Sequence, residues 1–218
     1  MSATQARPPE SSEVFPFVDM IPTPLEVLGL YDEDICTGVV KIHDWQKEVL
    51  RSLGKRRSAP DEAVRVMLLA ANGSGKSQFI LAPFAVWVCL AFTNSLTVVT
   101  TASGDQMDKQ ARRYITRLCT EVNRQHREHF GFDIFDCQVR RVTNVLTKSY
   151  IDMFATDDPG RAEGHHRLKH DGEFALIIDE AKTVADEIFK ALAARCKDYT
   201  RRLDVTSPGD CSGYFYDT

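Results

Sequence analysis

What is missing narrows the field first. The six cysteines, at positions 36, 89, 119, 137, 196 and 211, form no CxxC pair and no regular spacing. That argues against both a zinc knuckle and a disulfide framework, and it fits a reducing compartment. An excess of basic residues is lacking too. The formal net charge is −4, so the body as a whole is not the basic surface expected of a protein that coats nucleic acid, and any DNA contact must be local. No basic, apolar, small-residue leader opens the chain, and the longest apolar stretch, Phe79 to Phe92, contains Pro83 and is too short to span a bilayer. Internal repeats are not visible. Together these absences set the expectation of a soluble intracellular protein that makes no use of a membrane.

At 218 residues and 43% hydrophobic, the chain can bury one good-sized core. Residues 1–22 are rich in Pro, Ser and Glu with little periodicity, and read as a disordered or loosely docked arm. Residues 1–40 are therefore taken as arm and lead-in, and 41–218 as one domain. From residue 41 helical and strand patterns alternate: a short helix at 41–54, a strand at 64–71, a helix from Lys76, a strand at 95–102 and a long amphipathic helix at 105–130. A hairpin or strand pair follows at 137–156, then a buried strand ending in "IIDEA", a helix at 185–196 and a last strand from Arg201. Strands of continuous Val/Ile/Leu character separated by helices predict an α/β fold with a mostly parallel sheet and helices on both faces.

Residues 65–84, "RVMLLAANGSGKSQFILAPF", pass from an apolar strand through a small-residue turn into an apolar helix. Such a turn points several backbone N–H groups at one spot, and the helix N-terminus adds partial positive charge there, which is how a phosphate cradle is built. The pattern is GxxxxGKS/T with Ala70 in place of the first glycine, a change that costs little because that glycine mainly eases the turn. Ala71, Asn72, Gly73, Ser74 and Gly75 would line the cradle. Lys76 would reach the β- and γ-phosphates, and the Ser77 hydroxyl would hold Mg²⁺. The bland alternative is a tight turn that happens to contain GKS.

An apolar run ends in Asp179 and Glu180 about a hundred residues downstream. Two carboxylates at the C-terminal end of a central strand stand where open α/β sheets bind ligands. Asp179 suits Mg²⁺ and Glu180 suits the water that attacks a γ-phosphate. The adjacent pair favours hydrolysis over mere nucleotide binding. Two weaker signals flank this core. Gln46 offers an amide matching the N6/N7 edge of adenine, with Trp45 beside it as an apolar face, although Trp45 and Val49 also read as one apolar stripe of a helix. Thr206, Ser207 and Pro208 end the last strand, where they can sense the γ-phosphate and pass its loss on; a plain Ser-Pro-Gly turn is the alternative.

In this order, phosphate loop, "IIDEA", earlier "WQ" and later "TSPG", the chain resembles the ATPase motor domain of the phage terminase large subunit. The succession Ala162–His166, Ile177–Val184, Ser207–Gly209 and Phe215–Tyr216 separates it from a generic helicase. The resemblance covers about residue 41 to the end. It implies a P-loop NTPase of the RecA-type, additional-strand class. It also implies ATP hydrolysis coupled to translocation of double-stranded DNA into a procapsid, in the cytoplasm of an infected bacterium. ATP and Mg²⁺ are the implied cofactors, and DNA, a portal protein and a small terminase subunit the implied partners, with the chain working in a homo-oligomeric ring. By position, Lys76 and Ser77 become phosphate and Mg²⁺ ligands, Asp179 the second metal-side carboxylate, Glu180 the catalytic glutamate, Gln46 the adenine contact and Thr206–Pro208 the coupling segment.

Two departures matter. Many terminases carry a basic residue inside the phosphate loop where this chain has Asn72, so the transition-state charge must be met by another arginine. Arg161, in "DDPGRAEGHH", is the candidate, supplied in trans, unless it pairs with Asp157 or Glu163 in its own loop. Second, the chain stops at "SGYFYDT", where the family usually continues into a nuclease domain; Asp157 and Asp158 read as a loop pair, and no nuclease activity is expected of this chain. "HHRLKH" (165–170) is read as solvated loop histidines, and "GKRRS" (54–58) as a basic turn. The competing readings are a helicase-like P-loop ATPase, which needs a second motor half, and a regulatory module that binds ATP without turnover, which does not need Glu180.

Overall fold

A computed structural model describes residues 23–57, 59, 62–155, 172–184, 186, 189–190, 192 and 198–209. The chain enters through α1 (Pro24–Tyr31) and α2 (Glu33–Cys36), followed by α3 (Asp44–Leu53). β1 (Val64–Leu69) leads through the glycine-containing loop into a π-helical turn, Ser77–Leu81, and α4 (Ala82–Ala91). β2 (Leu96–Thr101) leads likewise into α5 (Gly104–Gln106), a second π-helical stretch at Met107–Arg112, and α6 (Arg113–Phe130). The strands β3 (Phe135–Cys137), β4 (Arg141–Asn144), β5 (Tyr150–Ala155), β6 (Phe174–Asp179) and β7 (Arg201–Thr206) complete a seven-stranded sheet in the order β1-β7-β6-β2-β5-β4-β3. β1, β7, β6, β2 and β5 are parallel, whereas β4 and β3 add an antiparallel edge. The fold is α/β and mostly parallel, as the strand patterns require. The one expected strand pair is in fact three strands: β5 joins β2 in parallel, and β4 and β3 continue from it antiparallel.

Local chemistry explains the elements. α6 places Ile115, Leu118, Cys119, Val122 and His126 on one buried stripe at helical spacing. It stops at Gly131, whose φ of +77° is the left-handed cap that lets the Gly131 N–H reach the Arg127 carbonyl. α4 is apolar all round and buried from Ala82 to Leu90 because it lies between the sheet and the outer helices. Pro83 has no N–H for the Phe79 carbonyl, and the turn before it opens to the π pattern, with Ala82 N–H bonded to the Ser77 carbonyl.

Two apolar clusters sandwich the sheet. The larger joins α1, α3, α4 and α6 to one face, and the smaller places Phe189, Leu192 and Val184 on the other. Val27 and Leu28 of α1 are fully buried in the larger cluster, so the core reaches back past residue 41, where the sequence reading had put only a lead-in. The arm at 1–22 lies outside the described residues. Arg201, at the start of β7, ties the layers together: its guanidinium donates to the carbonyls of Leu53 (2.6 Å) and Lys55 (3.0 Å) and lies over the Trp87 ring. β1, which carries the glycine-containing loop, is one edge of the sheet among the described residues, and it leaves Met67 and Leu69 49% and 54% exposed. Among the described residues no helix is long and apolar enough to cross a membrane.

Candidate functional site

The parallel register sets the site. Leu69 pairs with Thr206 and Asp179 with both Val205 and Thr101, so β1, β7, β6 and β2 all end at one rim of the sheet. The loop after β1 turns on Gly73 (φ +75°) and Gly75 (φ +80°). A Cβ on Gly75 would fall 2.4 Å from Phe79 Cδ2 and 3.3 Å from Gln46 Nε2, so this position needs glycine both for its backbone and for its neighbours.

Lys76 is buried, and its ammonium donates to the carbonyl oxygens of Ala70 (2.8 Å) and Ala71 (2.9 Å) and to Ser207 Oγ (3.1 Å). Those three acceptors satisfy a charge that would be costly to bury alone. Ser207 also meets Glu180, with its N–H 3.4 Å from Oε2 and its hydroxyl 3.0 Å from Oε1, and it is hydrogen-bonded to Asn72 Oδ1. A serine hydroxyl has one proton, so it serves either Asn72 or Glu180 while it accepts from Lys76. The loop after β1 and the acidic end of β6 thus converge on a single hydroxyl just past β7.

Ser77 Oγ donates to Asp179 Oδ2 at 3.3 Å. Burial, and next the charge of Glu180, push the Asp179 carboxyl up to about 6, against the pull of Ser77, the Glu180 N–H and Lys76. A hydroxyl and a buried carboxylate facing one point are oxygen ligands of the kind Mg²⁺ takes beside phosphate. Glu180 has left-handed backbone angles (φ 51°, ψ 47°), a conformation a non-glycine residue adopts at a cost of about 1–3 kcal/mol and one that clusters at functional positions. The turn after it is braced: Lys182 N–H reaches Thr206 Oγ1 at 3.4 Å, and its ammonium the Pro208 carbonyl at 2.8 Å.

A cleft of about 630 Å³ opens at these groups, lined by the loop from Asn72 to Ser77, by Glu180, Lys182 and Ser207, and also by Gln106, Gln110 and Tyr114. The last three were not singled out in the sequence. Their spacing of four along one helical run after a strand end was the available signal.

Gln46 is 2% exposed, accepts the His43 N–H (2.9 Å) and donates to the Ser74 carbonyl (2.9 Å). Its amide braces the start of α3 against the phosphate loop. Trp45 is partly buried against the larger core cluster, in keeping with the apolar-stripe alternative. Arg161, the pair Asp157 and Asp158, residues 162–170 and Phe215–Tyr216 lie outside the described residues.

At the level of sequence, no family model and no curated protein matches the chain. Solved structures do. The HK97 bacteriophage large terminase superposes with a TM-score of 0.58 at 13% identity, over 77% of this chain and 33% of that one. The Thermus phage P74-26 large terminase ATPase domain gives 0.53 at 19% identity, over 86% of this chain and 73% of that one. The large terminase from a thermophilic bacteriophage in complex with ATP-gamma-S gives 0.55 at 15% identity, over 81% and 41%. The chain therefore spans about a third of the length of the HK97 protein. At these identities the likeness is one of fold: the chain has the P-loop NTPase fold of phage large terminase ATPase domains.

Proposed function

We propose that the chain is the ATP-hydrolysing motor domain of a viral DNA-packaging terminase. The observation that carries this reading is the convergence of Lys76, Glu180 and Asn72 on Ser207, beside the Ser77–Asp179 pair. A structural turn has no need of a buried lysine, a strained glutamate and a strand-end serine in contact. The likeness in fold to a terminase solved with ATP-gamma-S supports a nucleotide in the cleft.

In this reading the loop N–H groups and Lys76 take the phosphates. The three acceptors that Lys76 uses here are exchanged for phosphate oxygens, which are stronger partners for an ammonium. Ser77 and Asp179 would hold Mg²⁺, which when bound offsets the charge of the β- and γ-phosphates. Glu180 orients and polarises the attacking water. Once Lys76 leaves Ser207, that hydroxyl is free to follow Glu180, and Thr206, Ser207 and Pro208 sense whether the γ-phosphate is present. Gln46 keeps the loop in place and retains a second N–H for adenine. Arg161 is proposed as the trans-acting arginine of a homo-oligomeric ring. Double-stranded DNA, a portal protein and a small terminase subunit are the proposed partners, in the cytoplasm of the infected host.

The test is a pair of variants. Lys76→Ala should lose binding of a fluorescent ATP analogue, because the loop offers no other flexible cation. Glu180→Gln should bind it within about twofold and lose hydrolysis by roughly 10²–10⁴. Hydrolysis that survives both changes refutes the assignment. A Glu180→Gln protein with unaltered turnover would instead favour a module in which this carboxylate has no chemical role.

A further inference from the structure

The cleft has a second polar wall. Gln106, Gln110 and Tyr114 stand four residues apart on the helical run that follows β2, and all three line the cleft together with the phosphate loop. Gln106 is held at the base of that run, where its N–H meets the capping Ser103 hydroxyl (3.4 Å). Because Thr101 at the end of β2 is in register with Asp179, the run begins beside the strand end that presents Glu180. The Gln106 amide oxygen is buried and, among the described residues, has no hydrogen-bond partner. Burying an amide oxygen unpaired is costly, and Ser207 and Asn72, which line the same cleft, both have partners.

From this geometry we infer that Gln106 positions the attacking water, accepting one of its hydrogens through Oε1 while Glu180 accepts the other. The inference rests on the ATPase reading above and names a residue that reading does not use. In the step, the water oxygen forms a bond to the γ-phosphorus as the bond from that phosphorus to the β–γ bridging oxygen breaks. ADP leaves with the electron pair, and a proton of the water passes to Glu180. Two fixed acceptors define the direction of the water's lone pair, which one carboxylate does not, and this is why a positioned amide contributes to rate without contributing to nucleotide affinity.

The experiment compares wild type with Gln106→Met, which keeps length and loses both polar atoms, and with Gln106→Glu, which keeps an acceptor at the same place. Affinities for ATP, ADP and ADP–aluminium fluoride, steady-state turnover and melting temperature are measured on each. Expected for Gln106→Met are turnover lower by about 10²-fold, weaker ADP–aluminium fluoride binding, ADP and ATP affinities within twofold and unchanged melting; Gln106→Glu should keep more activity. Unchanged turnover in Gln106→Met overturns the inference. So does a fall in turnover matched by equal losses in ADP affinity and melting temperature, since that is the signature of packing. A wild-type protein that does not hydrolyse ATP overturns the ATPase reading itself, and the inference with it.

Discussion

Lys76 Nζ and Ser207 Oγ lie 3.1 Å apart although 131 residues separate them in sequence. The contact links the loop after β1 to the segment after β7. In the proposed ATPase, nucleotide binding would exchange one set of lysine partners for another, and the serine would register the exchange.

Ser207→Ala removes a competitor for the lysine. A hydrogen bond to a charged group contributes about 1.5–3 kcal/mol, of which part is recovered by the two carbonyls of Ala70 and Ala71. ATP affinity should therefore rise by up to about tenfold, while turnover falls because Glu180 loses its bracing. Titration with a fluorescent analogue measures the first and phosphate release the second. A tenfold loss of affinity would mean that Ser207 serves the nucleotide directly.

The two loop glycines should not be equivalent. Both have left-handed φ, so alanine at either costs about 1–2 kcal/mol in backbone strain. At Gly73 a Cβ meets nothing within 4 Å, but at Gly75 it would strike the Phe79 ring. Gly75→Ala should lower the melting temperature clearly more than Gly73→Ala, for which a drop of about 2–8 °C is expected for a domain of this size. Equal drops would show that Phe79 yields freely.

His126 supplies a pH dependence. It is hydrogen-bonded to the Tyr31 hydroxyl at 3.1 Å, joining α1 to α6. Burial, with the nearby His129 adding to it, holds its imidazole below the ordinary 6.5. A depressed folded-state value means that the unfolded chain takes up the proton more readily. The contribution is thus complete above about 6.5 and is lost as pH falls through the folded value. Urea midpoints at pH 7.5 and 5.5 should differ for wild type, and by less for His126→Gln. The same acid loss in both proteins would place the effect elsewhere.

Arg161 is tested by mixing. If it acts across a subunit boundary, Arg161→Ala binds ATP normally, and wild-type turnover rises more than linearly with protein concentration. An arginine in trans adds about 10³–10⁵ in rate. Arg161→Ala and Glu180→Gln proteins, each inactive, should then regain activity when combined. A mixture as inactive as its components removes the trans assignment and leaves the local pairing with Asp157 or Glu163.

Much of this was written locally. The loop from Ala70 to Ser77 and the end of β6 at Asp179–Glu180 are legible because each needs only its own neighbours: glycines where φ is positive, an apolar strand before, a helix after. The α/β class followed from strand and helix periodicities, which are properties of short windows. What the sequence by itself did not determine is who meets whom across the sheet. The hydrogen-bond partners of Gln46 were not legible, because an amide's partners depend on which loop folds over it, here the Ser74 carbonyl 28 residues on. The placing of β1 at the sheet edge, the packing of α1 into the core, and the shared position of Lys76, Glu180 and Ser207 all depend on strand order. Strand order is decided by how the two apolar faces are covered, and no window of the chain contains that information.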